Sequence, residues 1–165
     1  AALASTGAID PNRTCIVGMS FGGYLALAGA SLHPEAYRCA VSIGGITDLG
    51  LLTKERGQRY GRESARLEEL QGLLGGASAE KLIATSPAKQ VANIRAPILL
   101  IHGDKDTSVL PEQSQKMANA LRAAGKPYEF VILKDENHRL TQAATRTQML
   151  EAIEAFLEKH LPAGS

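Results

Sequence analysis

The sequence predicts an α/β fold in which a mostly parallel sheet of about four strands is flanked by helices in three αβα layers. Three observations carry that prediction. Short β-favouring runs alternate with segments of helical spacing, the pattern of a parallel sheet with right-handed crossovers. The clearest run, Pro97 to His102, is continuously apolar, as expected of a parallel strand covered on both faces. No internal repeat, low-complexity tract or Pro/Gly linker divides the chain, so residues 1–165 read as a single domain.

The elements follow in order. Asp10, Pro11 and Asn12 are turn residues leading into a short strand from Thr14 to Gly18 (TCIVG). Phe21 to Leu32 places Leu25, Ala28, Gly29 and Leu32 at helical spacing, a face small enough to lie close on a sheet, and His33-Pro34 end it. Cys39 to Gly44 (CAVSIG) is a second strand. From Thr47 to Ser86 the pattern is irregular and charged, a helical excursion with Leu67, Leu70, Leu73 and Leu74 on one face and Gly75-Gly76 as a stop. The strand from Pro97 to His102 (PILLIH) comes third. A helix then opens with Pro111 as first residue and Glu112 in the first turn, carries Met117, Ala120, Leu121 and Ala124 on one face, and stops at Gly125 and Pro127. Tyr128 to Leu133 (YEFVIL) is the fourth strand, and the final helix aligns Met149, Leu150, Ile153, Phe156 and Leu157.

Composition excludes several classes of function. Apolar residues are 44% and charged residues 21% of the 165, an ordinary globular balance rather than that of a disordered tail. Eighteen basic against seventeen acidic residues leave a net charge of +1, with no basic run that would serve as a nucleic-acid footprint. The longest apolar stretches are far too short to cross a bilayer, and Ala1 to Ala8 lacks the charged start and apolar run of a signal peptide. Cys15 and Cys39 lie in strand-like apolar runs and are expected to be two buried free thiols, since two cysteines make no disulfide framework. The compartment is left open.

The chemistry begins at Gly18-Met19-Ser20-Phe21-Gly22-Gly23, a G-x-S-x-G pattern between a predicted strand and a predicted helix. A serine at so tight a turn adopts a strained backbone, and the residues two before and two after it, Gly18 and Gly22, are expected to lack side chains to avoid collision. The helix that follows points its first N–H groups at the site, so the Phe21 N–H is placed to hold an oxyanion.

A serine hydroxyl is a weak nucleophile until an imidazole takes its proton, and a carboxylate must hold that imidazole in one tautomer. The G-x-S-x-G serine between strand and helix resembles the nucleophile elbow of α/β-hydrolases, and that resemblance implies partners in the order serine, acid, histidine, each in a loop after a strand. His138, after the YEFVIL strand, is the expected base. The loop HGDKD after PILLIH offers two acids, Asp104 and Asp106, which spacing alone does not separate. Glu136 is near His138, but a side chain so close in sequence is expected to cap or be solvated. His33 and His160 lie at helix ends, and His102 closes a strand and is expected to support the loop.

With these residues in hand, the chain resembles the catalytic domain of the prolyl oligopeptidase family of serine peptidases, which includes dipeptidyl and acylaminoacyl peptidases. The resemblance rests on Asp10-Pro11-Asn12-Arg13, GMSFGGY at Gly18 to Tyr24, Ser86-Pro87, PILLIHGDKDTSVLPEQS at Pro97 to Ser114, and Glu136-Asn137-His138. It implies a partial α/β-hydrolase fold and a peptide or acyl-peptide substrate cleaved through an acyl-enzyme on Ser20. No cofactor or metal is implied. The family pattern H-G-x-x-D-x-x-V selects Asp106 over Asp104, and it implies that Val109, with Phe21, lines the pocket for the residue before the scissile bond. Ser108 stands where some members carry an Asn that helps hold the substrate backbone, a departure implying weaker or different peptide recognition.

The family fold has eight strands, usually preceded by a β-propeller, so the chain is expected to be the C-terminal part of such a domain, beginning in the helix before the fifth strand. The loop supplying a second oxyanion donor is then missing, and the isolated chain is expected to be a poor enzyme. The first strand is expected to leave an apolar edge through which a homodimer could form. Two alternatives accompany the peptidase reading: a carboxylesterase, since the same triad cleaves esters, and a non-catalytic fragment.

Overall fold

Each of the four β-favouring runs forms a strand. The computed structural model of the chain describes residues 5–8, 10–61, 63–74, 76 and 78–161. Strands β1 (Cys15–Met19), β2 (Cys39–Ile43), β3 (Ile98–Gly103) and β4 (Tyr128–Leu133) lie in the order β1-β2-β3-β4, all parallel. Their carboxyl ends are in step, with Met19 opposite Ile43, Ile43 opposite Ile101 and Gly103 opposite Leu133. Loops that leave these ends therefore meet at one rim. β2 and β3, central in the sheet, are buried at every residue, which is why their sequences are apolar without alternation.

Helix α1 (Phe21–Leu32) connects β1 to β2, and α5 (Glu112–Ala123) connects β3 to β4. Because the sheet advances in one direction, right-handed crossovers place both on the same face. There Leu27 and Ala30 of α1 pack with Ala40, Ile98 and Leu100 of the sheet and Met117, Ala118 and Leu121 of α5. The opposite face is covered by α6 (Ala143–His160), whose Phe156, Met149, Ile153 and Leu157 meet Cys39, Val41, Leu99, Ile101 and Leu133. The three αβα layers are thus complete.

The excursion between β2 and β3 consists of α2 (Leu49–Tyr60), α3 (Ala65–Leu73) and α4 (Ala79–Thr85), followed by two 3-10 turns at Pro87–Lys89 and Val91–Asn93. Ile46, Leu49, Leu52 and Val109 form its own small core, against which Tyr24, Leu70, Leu74 and Leu82 pack. Its entry is clamped to α5: the buried Gln113 side chain accepts the Thr47 and Asp48 N–H groups at 3.0 and 2.9 Å. The Asp48 side chain then caps α2 through the Leu51 N–H at 2.9 Å. Gly75, expected to stop α3, lies outside the described residues.

Four sequence expectations are corrected. Cys15 and Cys39 are joined as a disulfide rather than left as free thiols. They are register partners on adjacent parallel strands with Cα atoms 4.7 Å apart, a pairing that a separation of 24 residues does not reveal. Leu25 and Leu32 of α1 are exposed, and the buried face is instead Ala26, Leu27, Ala28, Ala30 and Ser31. This helix is apolar nearly all round, so spacing did not single out one face. Leu150 is 60% exposed, outside the stripe that its neighbours Met149, Ile153 and Leu157 form. Pro111 occupies the N-cap of α5, one residue before the helix begins.

Candidate active site

Ser20 occupies the turn between β1 and α1 with φ 57° and ψ −119°, a left-handed region that non-glycine residues enter at a cost of about 1–3 kcal/mol. Two backbone bonds hold it there. Its N–H donates to the Ile43 carbonyl at the end of β2 at 2.8 Å, and its own carbonyl accepts the Tyr24 N–H of α1 at 3.1 Å. The hydroxyl is thereby lifted to the rim of the sheet. Phe21, the first residue of α1, has an N–H that precedes the helical hydrogen-bond ladder and its ring is 57% exposed.

The glycines around this turn divide by surroundings. A Cβ at Gly18 would fall onto the carbonyl of Gly22, so Gly18 is required as expected. At Gly22 an added Cβ meets nothing within 4 Å, so the expected collision is absent there. The crowded position is Gly23, where a Cβ would lie 2.8 Å from Ser42 Oγ and 2.9 Å from Gly45 Cα. The requirement comes from the close approach of α1 to β2 rather than from the turn.

His138 follows β4, and its ring spans the two other candidates: Nε2 lies 2.9 Å from Ser20 Oγ and Nδ1 lies 2.6 Å from Asp106 Oδ2. Asp106 is buried, whereas Asp104 is exposed, and the structure brings Asp106 to the ring. Asp106 Oδ1 accepts the Ser108 and Val109 N–H groups at 2.8 and 2.9 Å, which fixes the plane of the carboxylate. Burial pushes the Asp106 carboxyl up, but the hydrogen bonds from His102, His138 and the two backbone N–H groups outweigh it and hold the pKa at about 2. The acid is ionised throughout the neutral range.

The loop bearing His138 is built around Glu136, which is fully buried rather than solvated. Its carboxylate accepts the N–H groups of Asn137, Thr141 and Gln142 at 2.8, 3.0 and 3.0 Å and the hydroxyl of Thr145. Burial pushes its pKa up, and the bonds from Thr145 and the three N–H groups bring it down to about 2.

The prolyl oligopeptidase family matches residues 1–164. The chain belongs to this family. Dipeptidyl-peptidase 5 of Porphyromonas endodontalis is 33% identical over 138 residues, 81% of this chain and 19% of that protein. The acylamino-acid-releasing enzyme of Mus musculus is 25% identical over 162 residues, 92% of this chain and 21% of that enzyme. A puromycin-hydrolyzing peptidase of Mycobacterium tuberculosis superimposes with a TM-score of 0.84 at 29% identity, covering 98% of this chain and 24% of that one. The four-stranded sheet is accordingly part of an α/β-hydrolase fold. The chain spans about a fifth to a quarter of the length of these prolyl oligopeptidase relatives.

One residue beside this candidate site escaped the sequence. Gly44, with φ 53°, sits beside Asp106 and His138, and a Cβ there would lie 3.4 Å from Asp106 Oδ2 and 3.5 Å from His138 Nδ1. The signal was a glycine immediately after a strand. Val109, expected to line a substrate pocket, is 3% exposed and packs with Ile46, Leu49 and Leu52. It reaches the site through its backbone, as donor to Asp106 and as an acceptor facing His102. Among the described residues no group of three or more His, Cys, Asp or Glu could hold a metal ion, and no helix is long and apolar enough to cross a membrane.

Proposed function

We propose that this chain carries the catalytic triad of a serine peptidase, with Ser20 as nucleophile, His138 as general base and then acid, and Asp106 as the orienting acid. One observation carries the reading: a continuous hydrogen-bonded chain of 2.9 and 2.6 Å runs from the Ser20 hydroxyl through the His138 ring to an ionised carboxylate. Peptide or acyl-peptide substrates are favoured by the names of the relatives, which are peptidases and an acylamino-acid-releasing enzyme.

Ser20 Oγ attacks the scissile carbonyl carbon while its proton passes to His138 Nε2, and Asp106 stabilises the imidazolium through Nδ1–H. The negative charge that develops on the carbonyl oxygen is met by the Phe21 N–H. The tetrahedral intermediate then collapses: the C–N bond breaks, the amine takes the proton from His138 Nε2, and an acyl-Ser20 ester remains. Water attacks that ester with His138 again accepting a proton, and Ser20 Oγ leaves with it.

Labelling with a fluorophosphonate probe tests the reading. Labelling that disappears in Ser20→Ala and in His138→Ala supports it, and wild-type chain that resists the probe removes it. A comparison of an aminoacyl p-nitroanilide with a short-chain p-nitrophenyl ester then separates peptidase from esterase.

A further inference from the structure

His102 ends β3 and is 1% exposed, yet both of its ring nitrogens are engaged. Nε2 faces the Val109 carbonyl at 2.9 Å and Asp106 Oδ2 at 3.3 Å, and Nδ1 faces Ser114 Oγ at 2.7 Å. A carbonyl and an ionised carboxylate only accept hydrogen bonds, so the proton must sit on Nε2. Nδ1 of the neutral ring then accepts from the Ser114 hydroxyl, which α5 buries completely. The Nε2–H is thus shared: its hydrogen bond goes to the Val109 carbonyl, while Asp106 Oδ2, which also pairs with His138 Nδ1, faces it at 3.3 Å.

We infer that His102 is a positioning residue for the hydrolytic site: it presents Nε2–H to the same Asp106 oxygen that His138 uses, in the tautomer that the Val109 carbonyl and Asp106 require and the Ser114 hydroxyl accommodates. The inference rests on the triad reading above. Oδ1 is anchored by the Ser108 and Val109 N–H groups. Oδ2 would otherwise be held by His138 alone, a partly exposed ring that must change charge during each cycle. A second, buried donor fixes the oxygen while that ring titrates. It also makes Asp106 a weaker base, so the proton taken from Ser20 stays on the imidazole. The full chain is Ser114 to His102 to Asp106 to His138 to Ser20, and it ties helix α5 to the nucleophile.

Two measurements test this without relying on each other. In wild-type chain labelled with ¹⁵N-histidine, the His102 shifts must report the Nε2–H tautomer, and an Nδ1–H tautomer overturns the inference without any variant. His102→Leu removes the donor at similar volume, whereas His102→Gln keeps an N–H close to the Nε2 position. The expected result is that His102→Leu lowers the maximal rate of fluorophosphonate acylation on the order of ten- to a hundredfold, the equivalent of one hydrogen bond to a charged group, with probe affinity unchanged. It should also broaden or shift upfield the His138 Nδ1–H resonance, and His102→Gln should recover part of both. A folded His102→Leu chain with an unchanged resonance and unchanged acylation overturns the inference while leaving the triad intact. Wild-type chain that fails to label instead counts against the triad reading, while an Nδ1–H tautomer still overturns the His102 inference by itself.

Discussion

The backbone carbonyl of Glu136 accepts the Lys105 N–H at 2.9 Å, so the loop carrying Asp106 and the loop carrying His138 are joined directly, backbone to backbone. The contact is close because Gly103 ends β3 beneath it, where a Cβ would run into that same carbonyl. Asp106 and His138 therefore hold their 2.6 Å separation through the frame beneath them as well as through their own bond.

Glu136 makes that frame sensitive to acid. Its carboxyl is held at about 2 in the folded chain against an ordinary 4.5, so it binds a proton less readily when folded. Stability from this group is thus complete above about pH 4.5 and is lost as the pH falls from there toward 2. Glu136→Gln should lower the melting temperature at pH 7, because one carboxylate oxygen becomes a donor facing N–H groups. The gap to wild type should narrow when melting is followed by circular dichroism at pH 3. An equal gap at both values would show that the carboxylate charge is not what holds the loop.

The two adjacent glycines of α1 should respond in opposite ways. Gly23→Ala forces a methyl against Ser42 Oγ and Gly45, and overpacking of this kind typically costs about 1–3 kcal/mol. Gly22→Ala meets open space within a helix and should melt no lower than wild type, since alanine is favoured over glycine in a helix by up to about 1 kcal/mol. Thermal melts of the two variants side by side check both signs. If Gly22→Ala were the less stable of the two, the crowding inferred at Gly23 would be wrong.

The contrast shows what the sequence made legible. The strands, their order along the chain and the three loops that bring Ser20, Asp106 and His138 together could be read because apolar runs and the G-x-S-x-G and H-G-x-x-D-x-x-V patterns are local. Contacts set by register were not: Cys15 opposite Cys39, Gly23 against Gly45, and His102 turned back onto Asp106 each depend on which residues the folded sheet and its loops bring together. The buried face of α1 escaped for a different reason, since a helix with leucine and alanine on every side has no stripe to find.

The Cys15–Cys39 disulfide closes a 24-residue separation and encloses all of α1. For a loop of that size the chain-entropy model gives a stabilisation of roughly 3 kcal/mol, through restriction of the unfolded chain. Reduction with a phosphine should therefore lower the melting temperature by several degrees. Free-thiol titration of the denatured chain should find no reactive thiol before reduction and two after it. Two reactive thiols in unreduced chain would restore the reading of buried free cysteines.

β1 pairs with β2 along one side, and no strand among the described residues pairs with the other. Val17 and Met19 alternate onto the face that α6 covers over the central strands, yet at β1 they are 46% and 39% exposed. An apolar strand with unpaired N–H and C=O groups is a template for another strand, and a second copy of this chain offers an identical one. A homodimer joined through β1 is the proposed result, and light scattering after size exclusion should show a mass above 17.5 kDa that rises with loading concentration. Val17→Lys places a charge on that edge while leaving the β1–β2 ladder in place, and should return the monomer. Wild-type chain that elutes as a monomer at every concentration would rule out pairing through this edge.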